Sequence, residues 1–271
     1  MDIIAAYTET MAALPPFWRG LSASLIAGVL MTGLGAAPVF VLRGVRPTAQ
    51  NAMLAFAAGV MLAATFFSLL LPALDAAEAD LGSRPAAAGA VIAALLLGAV
   101  LMHLGHSLVP HEHFQKGREN ADSIRLARIW LFVAAIAIHN FPEGLAVGLA
   151  NAGESPATGL SVMLGIGLQN MPEGLAVAIA LRGEGYSRTQ SFGVAFMSGV
   201  VEPLGGVVGA GAILASTALL PWALAFAAGA MLFIISSEVI PETHRKGNER
   251  GATASLFVGF AVMLFLDVTL G

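Results

Sequence analysis

Apolar stretches of about twenty residues recur along the whole chain, and that length lets an α-helix cross a hydrocarbon core of roughly 30 Å. Of the 271 residues, 57% are hydrophobic and only 11% are charged. A soluble domain, in contrast, carries about 25% charged residues. We therefore predict an all-α polytopic membrane protein that has the lipid bilayer as a partner, and we expect no nucleic-acid partner.

The sequence predicts a single transmembrane domain over residues 1–271 with eight transmembrane helices, here called spans one to eight. Most breaks between them carry turn or charge signals, but the connection between spans six and seven is short and apolar. A seven-span alternative that fuses these two therefore stays open. A histidine-containing cytoplasmic loop is expected at 108–126. The spans are expected at about 18–42, 51–73, 86–107, 127–150, 157–182, 189–214, 219–240 and 251–270.

Basic residues indicate the orientation of the chain. Eleven of its 13 Lys and Arg residues border the odd-numbered loops. Because loops rich in Lys and Arg stay in the cytoplasm, these loops are predicted to be cytoplasmic and both termini to lie outside. The chain has no cysteine, which excludes disulfides and thiolate metal ligands.

A twelve-residue phrase occurs twice. Residues 139–150 read HNFPEGLAVGLA and residues 169–180 read QNMPEGLAVAIA, and eight of the twelve positions are identical. Each copy puts a glutamate in an apolar helix, with Asn three residues before it and His or Gln four residues before it. Residues four apart share a helix face, so each copy predicts a carboxylate flanked by nitrogen and oxygen donors. This is a metal-binding surface, made twice.

A second repeat indicates inverted symmetry. FAAGVML at 56–62 in span two matches FAAGAML at 226–232 in span seven at six of seven positions. Spans two and seven are predicted to cross in opposite directions, as are spans four and five. Repeats of opposite orientation are typical of transporters with a midplane substrate site. We therefore predict a 3+2+3 arrangement, with spans four and five between two related units. Small-residue packing is an equally good account of the FAAG strings alone.

Three acids lack a basic partner at their depth. Glu143, Glu173 and Glu202 each lie well inside a predicted span, whereas every Lys and Arg lies at a span end or in a loop. A charged residue at the bilayer centre costs on the order of 2.5–3.5 kcal/mol. Such carboxylates must be protonated, hydrated or neutralised by a cation. With His139, Asn140, Gln169 and Asn170 nearby in the sequence, a divalent metal ion is the simplest account.

The HNxPEG phrase, its PEG twin and the EP pair at 202–203 closely resemble those of the ZIP family of divalent-metal transporters, especially its bacterial members. The resemblance covers nearly the whole chain. It implies uptake of Zn²⁺, with Cd²⁺, Fe²⁺ and Mn²⁺ as further candidates, into the cytoplasm across a bacterial cytoplasmic (inner) membrane. It also implies alternating access, and it suggests a homodimer.

The resemblance further implies a site for two metal ions, bridged by Glu143 and Glu173. The first ion would have Met61, His139, Glu143, Gln169 and Glu173 as ligands. The second would have Asn140, Glu143, Asn170, Glu173 and Glu202. Family members can carry Asp where Asn170 stands, so this chain lacks one negative charge at the second position.

Further donors suggest secondary or exit-path metal sites. Most of them lie at the cytoplasmic ends of their spans, and Asp267 is a further acid inside span eight. The candidates in and after span three are His103, His106, His111 and His113, and those in spans seven and eight are Glu238, Glu242, His244 and Asp267. His103 and His106 share a helix face, and a plain interfacial pair is an equally good interpretation.

We compared this hypothesis of a metal transporter with two others. An intramembrane metal hydrolase typically needs an HExxH string, which the chain lacks, so we expect no enzyme. A metal exporter, or a proton- or cation-coupled carrier that uses the same acids, stays as the alternative.

Overall fold

The computed structural model describes residues 3–42, 44–108, 121–153, 156–244 and 249–270. Within these ranges every regular element is helical, which confirms the prediction of an all-α protein. A short helix, Ile3–Ala12, comes first. Eight long helices follow and are numbered α1 to α8 after the predicted spans: Pro16–Phe40, Pro47–Leu81, Arg84–Leu108, Ala121–Ala152, Pro156–Gly183, Arg188–Ala215, Thr217–His244 and Glu249–Leu270.

Seven of these helices, all except α4, are long and apolar enough in their described residues to cross a membrane. This confirms a polytopic membrane protein, while the count of eight spans stays a prediction. Helix α4 has 32 residues, and it begins inside the stretch expected to be the loop 108–126. The structure separates α6 from α7, because Ser216 between them has an extended backbone with φ −166° and ψ 127°.

Three of the helices contain a π-helical segment, a feature that often marks functional sites. The segments are Leu25–Leu30 in α1, Ala64–Leu70 in α2 and Ile235–Val239 in α7. Those in α2 and α7 each begin within three residues after the FAAG-containing strings end. The two strings therefore share a backbone feature as well as a sequence.

The helices pack as two sets. One set consists of α1, α4, α5 and α6, in which α4 packs most extensively on α6 and α1 packs on α5. The other consists of α2, α3, α7 and α8, in which α2 packs on α8 and α3 packs on α7. The sets meet where α2 and α8 contact α5 and where α7 contacts α4. The 3+2+3 order along the chain thus does not correspond to three groups in space. Helix α1 packs on α5 rather than with α2 and α3, and α6 packs on α4 rather than with α7 and α8.

Glycines allow the closest helix contacts in the second set. A Cβ atom at any of four glycines would overlap a backbone carbonyl of the facing helix. Two of those carbonyls belong to Phe56 and Phe226, the first residues of the two FAAG strings, so both strings make the same contact. This agreement supports the predicted inverted repeat, which stays a prediction. The contacts are Gly59 with Leu256, Gly259 with Phe56, Gly229 with Leu95, and Gly98 with Phe226.

The N-terminal segment covers one end of the first set. The hydroxyl of Tyr7 donates to the sulfur of Met163 at 2.9 Å, and burial raises the pKa of Tyr7 to about 12. Arg19, one of the two basic residues outside the odd-numbered loops, donates to the carbonyls of Ala152 and Gly153 at 3.3 and 3.1 Å. It thereby caps the C-terminus of α4, where carbonyls lack helical partners.

We expect Gly259→Ala to lower the melting temperature of the purified protein, because the added methyl group would push α8 away from the Phe56 carbonyl. Overpacking of this kind costs about 1–3 kcal/mol. Gly89→Ala is the matched control, since a Cβ there would meet no atom within 4 Å. Thermal unfolding followed by circular dichroism measures the effect. Equal melting temperatures for the two variants would contradict the tight α2–α8 contact.

Candidate metal centre

The structure brings the three predicted acids together inside the first helix set. Glu143 on α4, Glu173 on α5 and Glu202 on α6 are 0, 4 and 0% exposed. Gln169 and Asn170, about one turn before Glu173 on α5, bond to Glu143 and to Glu202, so the three carboxylates share one region. Among the side chains that the structure describes, no Lys or Arg is buried. A negative charge on these acids is therefore not offset by a buried Lys or Arg.

Carboxamides bond to two of these carboxylates across helices. Gln169 Nε2 donates to Glu143 Oε1 at 2.6 Å, which links α5 to α4. Asn170 Nδ2 donates to Glu202 Oε1, which links α5 to α6. An amide N–H next to a buried carboxylate replaces part of the hydration that the carboxylate loses on burial. The two amides therefore stabilise part of a negative charge on the carboxylates through hydrogen bonds, but they add no positive charge.

The two asparagines of the repeated phrase also hold the hairpin of α4 and α5 to its neighbours. Asn140 Nδ2 donates to the Ser198 carbonyl of α6 at 2.8 Å. Asn170 Nδ2 donates to the Ala27 carbonyl of α1 at 2.9 Å. Each asparagine thus uses its N–H group on the backbone of an outer helix. The carbonyl oxygen of each side chain then points away from that backbone and has no hydrogen-bond partner.

Several oxygen atoms of this cluster are buried without a hydrogen-bond partner, although buried polar groups normally have one. All are amide or carboxylate oxygens, and a shared cation would give each of them a partner. In the described part of the chain they are Asn140 Oδ1, Glu143 Oε2, Gln169 Oε1, Asn170 Oδ1, Glu173 Oε2 and Glu202 Oε2. Among the same residues, no group of three or more His, Asp or Glu side chains could hold a metal ion without other ligands. The donor set consequently depends on the amides as much as on the acids.

His139 and Met61 are placed differently from the acids. His139 is buried on α4, and its Nε2 lies 2.9 Å from Glu238 Oε2 in the π-helical segment of α7. This contact connects the predicted first position to a predicted exit residue. Met61 is fully buried in the main apolar core. Its described surroundings assign it to packing, and its role as a ligand stays a prediction.

The structure divides the secondary candidates. The side chain of Glu238 is 20% exposed, and Glu242 and His244 follow at the end of α7. Both ring nitrogens of His244 are engaged, Nδ1 at 2.9 Å from the Ile240 carbonyl and Nε2 at 3.3 Å from Thr253 Oγ1. His103 is exposed and packs against the ring of Phe233. The side chain of His106 and all of His111 and His113 lie outside the described residues.

Asp267 lies away from the other exit-path candidates, and its role on the path stays a prediction. Its Oδ1 accepts a hydrogen bond from Ser68 of α2 at 2.7 Å. Thr253, which contacts His244, lies fourteen residues earlier on α8, or about 21 Å at 1.5 Å per residue. Asp267 is thus near the opposite end of the bundle. The sequence indicated this axial position, because residue 267 lies at the end of predicted span eight that is farther from His244.

The sequence interpretation also missed a break in α6 beside Glu202. The helix is interrupted at Val200, between Arg188–Gly199 and Val201–Ala215. Pro203 has no N–H, so the Gly199 carbonyl four residues earlier loses its helical partner. The EP pair carried this signal. The break places Glu202 in the first turn of the second segment.

Comparisons with known proteins match the chain to one family. Residues 105–267 match the sequence model of the ZIP zinc transporter family. The chain is 48% identical over 252 residues to the zinc transporter GufA of Myxococcus xanthus, an alignment that covers 93% of this chain and 99% of that protein. It is 47% identical over 245 residues to the zinc transporter ZIPB of Bordetella bronchiseptica, covering 90% and 79%. It is 34% identical to the human zinc transporter ZIP11, covering 89% and 94%.

We expect Asn170→Asp to make the protein less stable without metal and more responsive to zinc. An aspartate cannot donate to Glu202 or to the Ala27 carbonyl, and it adds a negative charge beside Glu202. Bound Zn²⁺ would offset that charge, and ligand binding stabilises the folded state. The rise in melting temperature on addition of Zn²⁺ should therefore exceed that of wild type.

Asn151→Asp is the control for this prediction. Asn151 is also buried, and its Nδ2 donates to the carbonyls of Val147 and Gly159 at 3.0 and 2.9 Å. This variant should lose stability without any gain in zinc response. An equal zinc response in the two variants would contradict a cation site at Asn170.

Proposed function

We propose the following function for this chain, which belongs to the ZIP family of zinc transporters: it carries divalent metal ions, chiefly Zn²⁺, into the cytoplasm. The membrane would be the cytoplasmic (inner) membrane of a bacterium, with both chain termini outside the cytoplasm. The relatives named above are transporters, and we propose no enzymatic activity. We also expect a homodimer, on the ground of the family resemblance.

The observation that carries this proposal is the group of unpartnered oxygen atoms shared by α4, α5 and α6. A buried carboxylate is costly unless a charge or hydrogen bonds compensate it. Within the described residues only amide N–H groups reach the acids. A divalent cation would neutralise two of the three charges and would give the amide carbonyls a partner. The transported ion would itself balance the charge of the site. Because this counter-charge is not part of the chain, it can bind and leave, as transport requires.

We propose two ion positions in this cluster. The first would use His139, Glu143, Gln169 and Glu173, with Met61 from α2. The second would use Asn140, Asn170 and Glu202, with Glu143 and Glu173 bridging the two ions. On ion binding, Gln169 and Asn170 would exchange a donated hydrogen bond for coordination through their carbonyl oxygens. Such an exchange needs only rotation of a terminal amide.

The donor types agree with zinc but do not select it alone. Carboxylate, amide and imidazole ligands bind Zn²⁺ and also Fe²⁺ or Mn²⁺, and selection depends on geometry. The relatives are named as zinc transporters, which favours Zn²⁺. We propose Cd²⁺, Fe²⁺ and Mn²⁺ as further substrates.

The contact between His139 and Glu238 supports release toward the cytoplasmic end of α7. An ion that leaves the first position would move from His139 to the partly exposed Glu238, and then past Glu242. We propose alternating access, in which the set with α1, α4, α5 and α6 moves against the other set. Both sets are internally well packed, and each can therefore move as a unit.

We expect Glu143→Ala and Glu173→Ala to abolish zinc transport, because each removes a carboxylate shared by both ion positions. Uptake of radioactive zinc into sealed vesicles that contain the purified protein measures this. Both variants should fall to the level of vesicles without protein. Glu9→Ala is the control, since Glu9 is exposed on the N-terminal helix and should leave uptake unchanged.

The same vesicles test the direction of transport when the protein is inserted in one known orientation. Entry of zinc from the side of the chain termini supports import, and movement only from the opposite side would indicate an exporter. Wild-type uptake by both glutamate variants would contradict the proposed site altogether.

A further inference from the structure

Helix α1 contacts α5 in the same way that α6 contacts α4. A Cβ atom at Gly144 on α4 would overlap the carbonyl of Glu202 on α6. A Cβ atom at Gly174, the same position of the repeated phrase on α5, would overlap the carbonyl of Thr32 on α1. Thr32 therefore has the place on α1 that Glu202 has on α6.

A second pair of contacts gives the same relation. Gly205 on α6 lies against the Phe141 carbonyl, and Gly35 on α1 lies against the Met171 carbonyl. Phe141 and Met171 are equivalent positions of the repeated phrase. Gly35 and Gly205 are 170 positions apart, as are Thr32 and Glu202 and the two FAAG strings. One shift thus relates both contacts and the sequence repeat.

The hydroxyl of Thr32 has no hydrogen-bond partner, although the residue is only 2% exposed. Threonine and serine in helices can satisfy themselves by donating to a carbonyl one turn earlier. Ser24 on the same helix does so with the Gly20 carbonyl at 2.7 Å, and Thr65 does so with the Met61 carbonyl at 2.7 Å. The Thr32 hydroxyl is therefore left for another partner.

The surroundings of Thr32 are those of the second ion position. A Cβ atom at Gly199 would lie 3.0 Å from Thr32 Oγ1, and the preceding residue, Ser198, holds Asn140 through its carbonyl. One turn before Thr32 on α1, Gly28 lies against the side chain of Glu202. The hydroxyl is thus next to the backbone that holds Asn140, and it lies one turn along α1 from the contact with Glu202.

We propose that Thr32 is a further residue of the ion site, whose hydroxyl oxygen binds the divalent cation at the second position with Asn140 and Glu202. The inference rests on the proposed function. A hydroxyl adds a neutral oxygen donor, which oxygen-binding cations accept.

The test compares Thr32→Val, which removes the hydroxyl at nearly constant shape, with Thr32→Ser, which keeps it. Ser24→Ala is the matched control, because it deletes a buried hydroxyl of the same helix that already has a partner. Zinc bound per chain, measured by mass spectrometry and by titration of the purified protein with Zn²⁺, is the readout. We expect Thr32→Val to weaken binding of the second ion by at least about tenfold, the lower end of the effects seen for supporting residues of metal sites. Thr32→Ser and Ser24→Ala should bind like wild type.

Thr32→Cys gives a second measurement that does not depend on Thr32→Val folding. The chain has no cysteine of its own, so residue 32 would carry the only thiol. Addition of Cd²⁺ should produce the ultraviolet charge-transfer band of a cadmium–thiolate bond, and Ser24→Cys should produce none.

The outcomes separate this inference from the proposed function. Wild-type zinc stoichiometry and affinity in Thr32→Val overturn the inference alone, as does a Thr32→Cys protein that binds Cd²⁺ without the thiolate band. If neither wild type nor any variant binds zinc, the proposed function fails and the inference fails with it.

Discussion

Burial of three carboxylates with no buried Lys or Arg among the residues that the structure describes is the constraint on which the rest of the structure depends. Glu143, Glu173 and Glu202 come from three helices, and each is buried although a charge on one would repel a charge on the others. Among the described residues, the carboxamides of Gln169 and Asn170 donate hydrogen bonds to Glu143 and Glu202. The amides add no positive charge, so a negative charge on the three acids has to be balanced by a proton, by water or by a cation.

Close packing of small residues makes this arrangement sterically feasible. Around α4 and α5, glycines bring carbonyls of α1 and α6 to within van der Waals contact, so the side chains of the repeated phrase reach neighbouring helices directly. In the other helix set the same device holds α2 to α8 and α3 to α7. Without a hydrophobic driving force between helices in lipid, such contacts and interhelical hydrogen bonds supply much of the association energy. Packing glycines and polar side chains therefore lie next to each other in the repeated phrase. A substitution that moves the helix at a glycine would also move the polar side chains beside it.

Much of the fold and of the site follows from local sequence, and the remainder depends on tertiary contacts. Hydropathy located the seven helices that, in their described residues, are long and apolar enough to cross a membrane, since lipid demands about twenty apolar residues for each crossing. It placed the end of span two at residue 73, whereas α2 continues to Leu81, because a helix does not stop where its side chains become polar. The repeated phrase and the Glu–Pro pair pointed to three acids that the structure buries close together. The partners of the asparagines were not predictable, because Ser198 and Ala27 offer backbone carbonyls that carry no residue-specific signal. Asp267 stands outside the repeated phrases, so the sequence assigned it no partner such as Ser68.

The equivalence of Thr32 and Glu202 has an energetic consequence for the molecule as a whole. The two halves share a backbone plan, yet one half presents a charged side chain where the other presents a neutral one. A carboxyl group at residue 202 can gain or lose a proton, whereas the hydroxyl at residue 32 stays neutral, so the two halves differ in their electrostatic response. The backbone repeat therefore does not make the halves energetically equivalent, and this pair of matched positions is one place where they differ.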